Sequence, residues 1–137
     1  MRYLIVFIAC VAASEACSCL PFNTLKETFC ASDFVTHVKV IAKDDPNEDS
    51  DGLEDVEYIV EHICVYRKPA NVKILPKEIS TASNSAACGI ELDVGQEYLL
   101  GGSADEQGVL HSYLCGLVEE WSTVSAKDRI AMETYKC

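Results

Sequence analysis

Between residues 56 and 66 side chains alternate with a period of two, placing Val56, Tyr58, Val60, His62, Cys64 and Tyr66 on one face. That period marks a strand with one buried face. Phe34 to Ala42, rich in β-branched residues, predicts a strand before it, with an acidic loop between the two. Asn23-Thr24, both capping types, precede apolar residues at helical spacing from Leu25 to Phe29, which predicts a short helix ending near Cys30. Further strands are predicted over 72–75, 98–100 and 109–114, with Gly101-Gly102 and Gly108 bounding a hairpin-like connection. Ser125 and Asp128 form a capping-box pattern that opens a helix running to about Tyr135.

Short strands with long excursions and flanking short helices predict a mainly β fold, a five-stranded Greek-key barrel of the OB type. A chain of 137 residues accommodates one domain. Internal repeats and low-complexity tracts are absent from the sequence. The fold class alone names no function.

The N-terminus changes the picture. Met1-Arg2 is followed by an apolar run of 11 residues, Tyr3 to Ala13, and by Ser14-Glu15-Ala16 with small residues at the first and third places. This predicts a secretory signal over residues 1–16, cleaved after Ala16, and a mature domain over 17–137. The run is short of the roughly 20 residues a membrane span needs. A lipidated bacterial cysteine is disfavoured because Ser14 stands where such signals carry an aliphatic residue. The expectation is a secreted, extracellular protein without a membrane anchor.

Cys10 leaves with the signal, so Cys17, Cys19, Cys30, Cys64, Cys88, Cys115 and Cys137 remain. In an exported chain of this size they form a disulfide framework with one cysteine left over. Without Arg2 and Glu15 the mature chain carries 10 basic and 21 acidic residues, for a formal charge of −11. That balance argues against nucleic acid, heparin and anionic membranes as partners. Part of the acid lies in the run from Asp44 to Asp55, which reads as a solvated loop.

Cys17-Ser18-Cys19-Leu20-Pro21 is the most informative stretch. In an extended chain Cys17 and Cys19 point to one side and Ser18 to the other, and Pro21 holds Leu20 extended. Two bridges there would give a rigid, projecting terminus, where most proteins fray. The motif by itself is equally compatible with a plain staple.

Taken with Cys30, Cys88-Gly89, Cys115, Trp121-Ser122 and Thr134-Tyr135 before Cys137, this stretch resembles the inhibitory, netrin-like domain of tissue inhibitors of metalloproteinases. The resemblance spans essentially the whole mature chain. It implies bridges Cys17–Cys88, Cys19–Cys115 and Cys30–Cys137, a pairing that spacing could not supply.

The resemblance also implies a mechanism. A catalytic zinc keeps one open position for water. The free amine of Cys17, with a pKa near 8, and the carbonyl of the same residue would chelate the target enzyme's zinc in that position. Ser18 would enter the adjacent specificity pocket, and Cys19, Leu20 and Pro21 would run along the cleft. A second contact strip would comprise Asn84, Ser85, Ala86 and Ala87, held beside the first by Cys88. The protein would have no cofactor of its own, and its partners would be zinc metalloproteinases.

Other signals carry less. Asn47-x-Asp49-x-Asp51-Gly52 opens like a calcium-binding loop, but its twelfth position is Tyr58, where a bidentate Glu is required. His37, His62 and His111 lack ligand spacing and read as structural. No serine elbow, phosphate loop or HExxH run is present, so an enzyme is not expected. Cys64 has no counterpart in the family pairing. Its place on the alternating strand predicts a buried free thiol in a monomer, with a Cys64-linked dimer as the alternative. The alternative function is a secreted netrin-like module that binds a growth factor, matrix protein or host receptor without touching zinc.

Overall fold

The structure is a computed structural model that describes residues 17–20, 22–46 and 54–137. The predicted signal, Pro21 and residues 47–53, which carry the calcium-loop pattern, lie outside the described residues. Ten elements of secondary structure organise the rest, and five strands close a barrel. These are β1 (Phe34–Asp44), β2 (Val56–Arg67), β3 (Glu78–Thr81), β4 (Glu97–Ala104) and β5 (Leu110–His111). Their order is β1-β2-β3-β5-β4, and pairing of β1 with β4 seals the circle. All contacts are antiparallel except β3 with β5. A sixth strand, β6 (Val118–Glu120), adds to β4.

Strand alternation divides the apolar residues between two cores. Phe34, Val38 and Val40 of β1 join Val56, Tyr58, Val60, Ile79, Leu100 and Leu110 inside the barrel. Val35 and Leu99 face the opposite way, under the helices, with Phe29, Leu117, Val124 and Met132. The register between β1 and β2 slips at three places, and such bulges bend a strand pair enough to close a small barrel.

Helix α1 (Leu25–Ala31) begins where Thr24 accepts a hydrogen bond from the Glu27 amide, and α2 (Ala126–Met132) where Ser125 accepts from Asp128. Phe29 meets Tyr135 edge to face at 5.1 Å, and Cys30–Cys137 ties the two helical segments together.

Four predicted elements differ. Residues 72–75 are irregular, with a bend at 73–74 and no strand, and Ile74 is 85% exposed. The third strand starts after Pro76 instead, at Glu78. The strand predicted over 109–114 is confined to Leu110–His111, because the chain turns just beyond, where the Gly116 amide bonds the Tyr113 carbonyl at 2.9 Å. Gly101-Gly102 lies inside β4 and bounds no hairpin. A Cβ on Gly102 would stand 1.9 Å from the His111 carbonyl oxygen, so the close approach of β5 requires glycine there. The terminal helix stops at Met132, short of Tyr135.

All three histidines are engaged in the fold. His62 joins the Thr36 hydroxyl at 2.9 Å to the Pro76 carbonyl at 2.7 Å. His37 meets Glu97 at 2.6 Å and stacks on Trp121, whose ring also lies under the Arg129 guanidinium. His111 pairs with Asp105 at 3.0 Å.

Candidate functional site: a disulfide-pinned ridge

The segment Cys17–Leu20 has no regular secondary structure, and two covalent bonds fix it to the barrel. Cys17 is bonded to Cys88 and Cys19 to Cys115, with Cα separations of 5.1 and 5.2 Å. The bridges touch, with Cys17 Sγ 3.4 Å from Cys115 Sγ. Because both cysteines are anchored, Ser18 between them is exposed, and Leu20 is 90% exposed beyond.

The Cys17, Cys88 and Cys115 sulfurs lie within 4.8 Å of one another, a spacing that would suit a metal. Each is half of a disulfide and therefore has no thiolate to offer, so the cluster is a staple.

The residues before Cys88 form the second strip, and the chain folds locally to hold it. Ser85–Ala87 is a single 3-10 turn, capped by the Asn84 side chain, which accepts from the Ala87 amide at 2.9 Å. The Gly89 amide returns to the Asn84 carbonyl at 3.1 Å. Cys88 takes φ +61°, a left-handed conformation uncommon outside glycine that turns its sulfur toward Cys17. The Leu114 amide bonds the Cys88 carbonyl at 2.8 Å, and the Thr81 hydroxyl accepts from the Ile90 amide at 3.0 Å. Asn84, Ala86 and Ala87 are exposed.

Thus the structure joins Cys17, Ser18, Cys19 and Leu20 to the 84–88 turn through the Cys17–Cys88 bond. Phe22, close in sequence to Cys19, and Tyr113 and Leu114, just before Cys115, are exposed as well. The roles of Asn84 as a cap, of left-handed Cys88 and of the Leu114 amide were not read from the sequence. Only the small-residue run ending in Cys-Gly hinted at a tight turn.

One expectation is overturned. Cys64 is unpaired, but it is exposed and not buried. Its register partner is His37, while Val38 pairs with His62, so Ile63 is bulged out and the alternation breaks just before Cys64. Tyr66 beside it stays partly buried. Burial, and then the neighbouring thiol, push its phenol above the usual tyrosine range.

A profile for the family described as tissue inhibitor of metalloproteinase matches residues 15–137. The chain belongs to that family.

Tissue inhibitors of metalloproteinase are inhibitors and not enzymes. The Caenorhabditis elegans protein tag-225, a metalloproteinase inhibitor by name, is 39% identical over 120 residues, covering 84% of this chain and 75% of that protein. Metalloproteinase inhibitor 2 of Homo sapiens is 29% identical over 135 residues, covering 92% of this chain. The Cricetulus longicaudatus inhibitor of the same name is 31% identical over 124 residues. This chain spans 58% of the human inhibitor's length and 60% of the Cricetulus one.

Proposed function

We propose that the protein is a secreted inhibitor of zinc metalloproteinases, and that it acts by presenting the amine and carbonyl of Cys17 to the target's catalytic zinc. On this reading cleavage after Ala16 frees the amine. A primary amine with a pKa near 8 offers a neutral lone pair at physiological pH, and with its own carbonyl it completes a five-membered chelate. The chelate takes the place of the zinc-bound water that would attack a peptide bond. Ser18 enters the pocket beside the metal, Cys19, Leu20 and Pro21 occupy the cleft, and the 84–87 turn forms the second contact.

The observation that carries this reading is the exposure of Ser18 between two anchored cysteines, one of them bonded directly to the end of the 84–88 turn. Both strips are held before binding, which lowers the ordering cost that a flexible terminus would incur. No helix among the described residues is long and apolar enough to cross a membrane.

The test is to acetylate the Cys17 amine, or to add one Ala before it, in protein with all bridges intact. Losing a zinc ligand should weaken inhibition by orders of magnitude, at tenfold for each ~1.4 kcal/mol. The melting temperature should not move. Equal inhibition by the blocked and native proteins would remove the chelation mechanism and favour a binding module that never touches zinc.

A further inference from the structure

We infer that the two bridges of the ridge form a thiol-triggered exchange pair. A low-molecular-weight thiol opens Cys19–Cys115, and Cys115 then takes Cys17 from Cys88, which unfastens the ridge from the 84–88 turn. The exchange itself is independent of protease inhibition; its effect on inhibition rests on the function proposed above.

The sulfurs are arranged for it. Cys17 Sγ lies 3.4 Å from Cys115 Sγ, which belongs to the other bridge, and the Cys17, Cys88 and Cys115 sulfurs all lie within 4.8 Å of one another. The remaining bridge, Cys30–Cys137, is outside that cluster.

Access decides where the reaction starts. Cys19 is exposed, whereas Cys17, Cys88 and Cys115 are half-buried. An incoming thiolate attacks the sulfur it can reach and expels that sulfur's partner. The first sulfur expelled is therefore that of Cys115.

Once expelled, Cys115 stays in place, because its backbone is held without the bridge. The Leu114 amide bonds the Cys88 carbonyl at 2.8 Å, and the Gly116 amide closes a turn onto the Tyr113 carbonyl at 2.9 Å. Both neighbours of Cys115 are thus fixed, and its thiolate remains against the Cys17–Cys88 bond. Attack between groups held in contact outruns attack by a second small thiol from solution.

The leaving side is prepared as well. Cys88 takes φ +61°, a conformation that a residue other than glycine keeps only while its surroundings hold it. The bond to Cys17 is one of those restraints. Severing it lets Cys88 relax, which favours the forward direction.

The steps balance. The small thiolate bonds Cys19 Sγ as the Cys19–Cys115 bond breaks, leaving a mixed disulfide and a Cys115 thiolate. That thiolate bonds Cys17 Sγ as the Cys17–Cys88 bond breaks, and Cys88 Sγ takes up the proton that the small thiol lost. Two disulfides enter and two remain, so the exchange needs no oxidant. Cys17 stays bridged, now to Cys115, and the turn is released.

The experiment uses secreted, processed protein carrying Cys64→Ser, which removes the free thiol of the native chain. The protein is incubated with reduced glutathione, quenched with N-ethylmaleimide and mapped by mass spectrometry without reduction. Molecules carrying one glutathione should have it on Cys19, together with a Cys17–Cys115 bond. Their maleimide label should sit on Cys88, severalfold above the label on Cys115, with Cys30–Cys137 intact. Label on Cys115 with Cys17–Cys88 retained would overturn the proposal, as would a Cys17–Cys19 bond in place of Cys17–Cys115. Two further variants identify the attacking sulfur without glutathione. Cys19→Ser, which leaves Cys115 as the thiol, should be isolated with a Cys17–Cys115 bond, and Cys115→Ser should keep Cys17–Cys88. Retention of Cys17–Cys88 alone in Cys19→Ser would also overturn the exchange. A metalloproteinase assay separates the two readings: full inhibition by the exchanged protein would leave the exchange standing and remove the 84–87 turn from the proposed contact surface.

Discussion

The carbonyl oxygen of Ala82 stands 1.9 Å from the point a Cβ on Gly89 would occupy. The chain entering the 84–87 turn and the chain leaving it therefore pass each other at a distance only glycine permits. Gly89→Ala should force these two backbone segments apart at a cost of about 1–3 kcal/mol. Inhibition should fall with it, since Cys88 would carry the displacement to Cys17. Thermal melting and a titration against a metalloproteinase measure the two effects, and an unchanged pair of values would mean that the turn is not held as described.

Ser18 lies outside the packing, so its replacement separates binding from folding. Ser18→Arg should shift stability by no more than about 0.5 kcal/mol, as at ordinary surface positions. Inhibition should change by amounts that differ among proteases, according to the depth of each pocket. Identical potency across a panel would argue against insertion of this residue.

The Cys30–Cys137 bond is remote in its role from the ridge, because it fastens α1 to the segment after α2. Replacing both cysteines with Ala should cost about 2–5 kcal/mol, the usual loss for a native bridge in a small secreted domain. At low temperature inhibition should persist, since the bridges at Cys17 and Cys19 remain. Urea unfolding beside an inhibition assay distinguishes this bridge from the other two.

Exposure of Cys64 predicts that one thiol of the native monomer reacts with iodoacetamide in the absence of denaturant. A thiol count by mass spectrometry checks this, and a requirement for unfolding would restore the buried assignment.

The Asp105 carboxyl is held below the usual carboxylate range. The cause is first the His111 side chain, then the backbone amide of Val109. A lowered folded-state pKa adds stability above the ordinary carboxylate pKa of about 3.9, and that stability is lost as pH falls through the folded value. Asp105→Asn should accordingly be less stable than the parent at neutral pH, with the difference shrinking in acid. Denaturant titrations at a series of pH values measure the trend, which should be modest at so exposed a site.

The strands with clean periodicity were legible, as were both helix starts, since Thr24 and Ser125 bear the hydroxyls that cap α1 and α2. β3 was not, because Ser80 and Thr81 are polar residues buried by partners elsewhere in the chain. The run at 72–75 misled for the opposite reason: it is apolar without a buried face, as Ile74 shows. Cys64 was misplaced because alternation assumes an unbroken pleat, and the bulge at Ile63 depends on the facing strand. At the ridge, the cysteines and Ser18 could be read from their spacing and the family pattern. The Asn84 cap and the Gly89 approach could not, since both are set by backbone contacts that no residue type announces.

The three bridges follow one rule: the first three cysteines of the 17–137 segment are bonded, in order, to the last three, across 71, 96 and 107 residues. During synthesis Cys17, Cys19, Cys30 and Cys64 all emerge before Cys88, so every disulfide a nascent chain can make among them is foreign to the finished fold. Oxidation that occurs before Cys88 emerges produces only errors, which must be undone by thiol exchange. The same wide closures that immobilise the ridge therefore postpone its assembly until Cys115 has emerged, and yield should depend on the isomerase capacity of the cell that makes it.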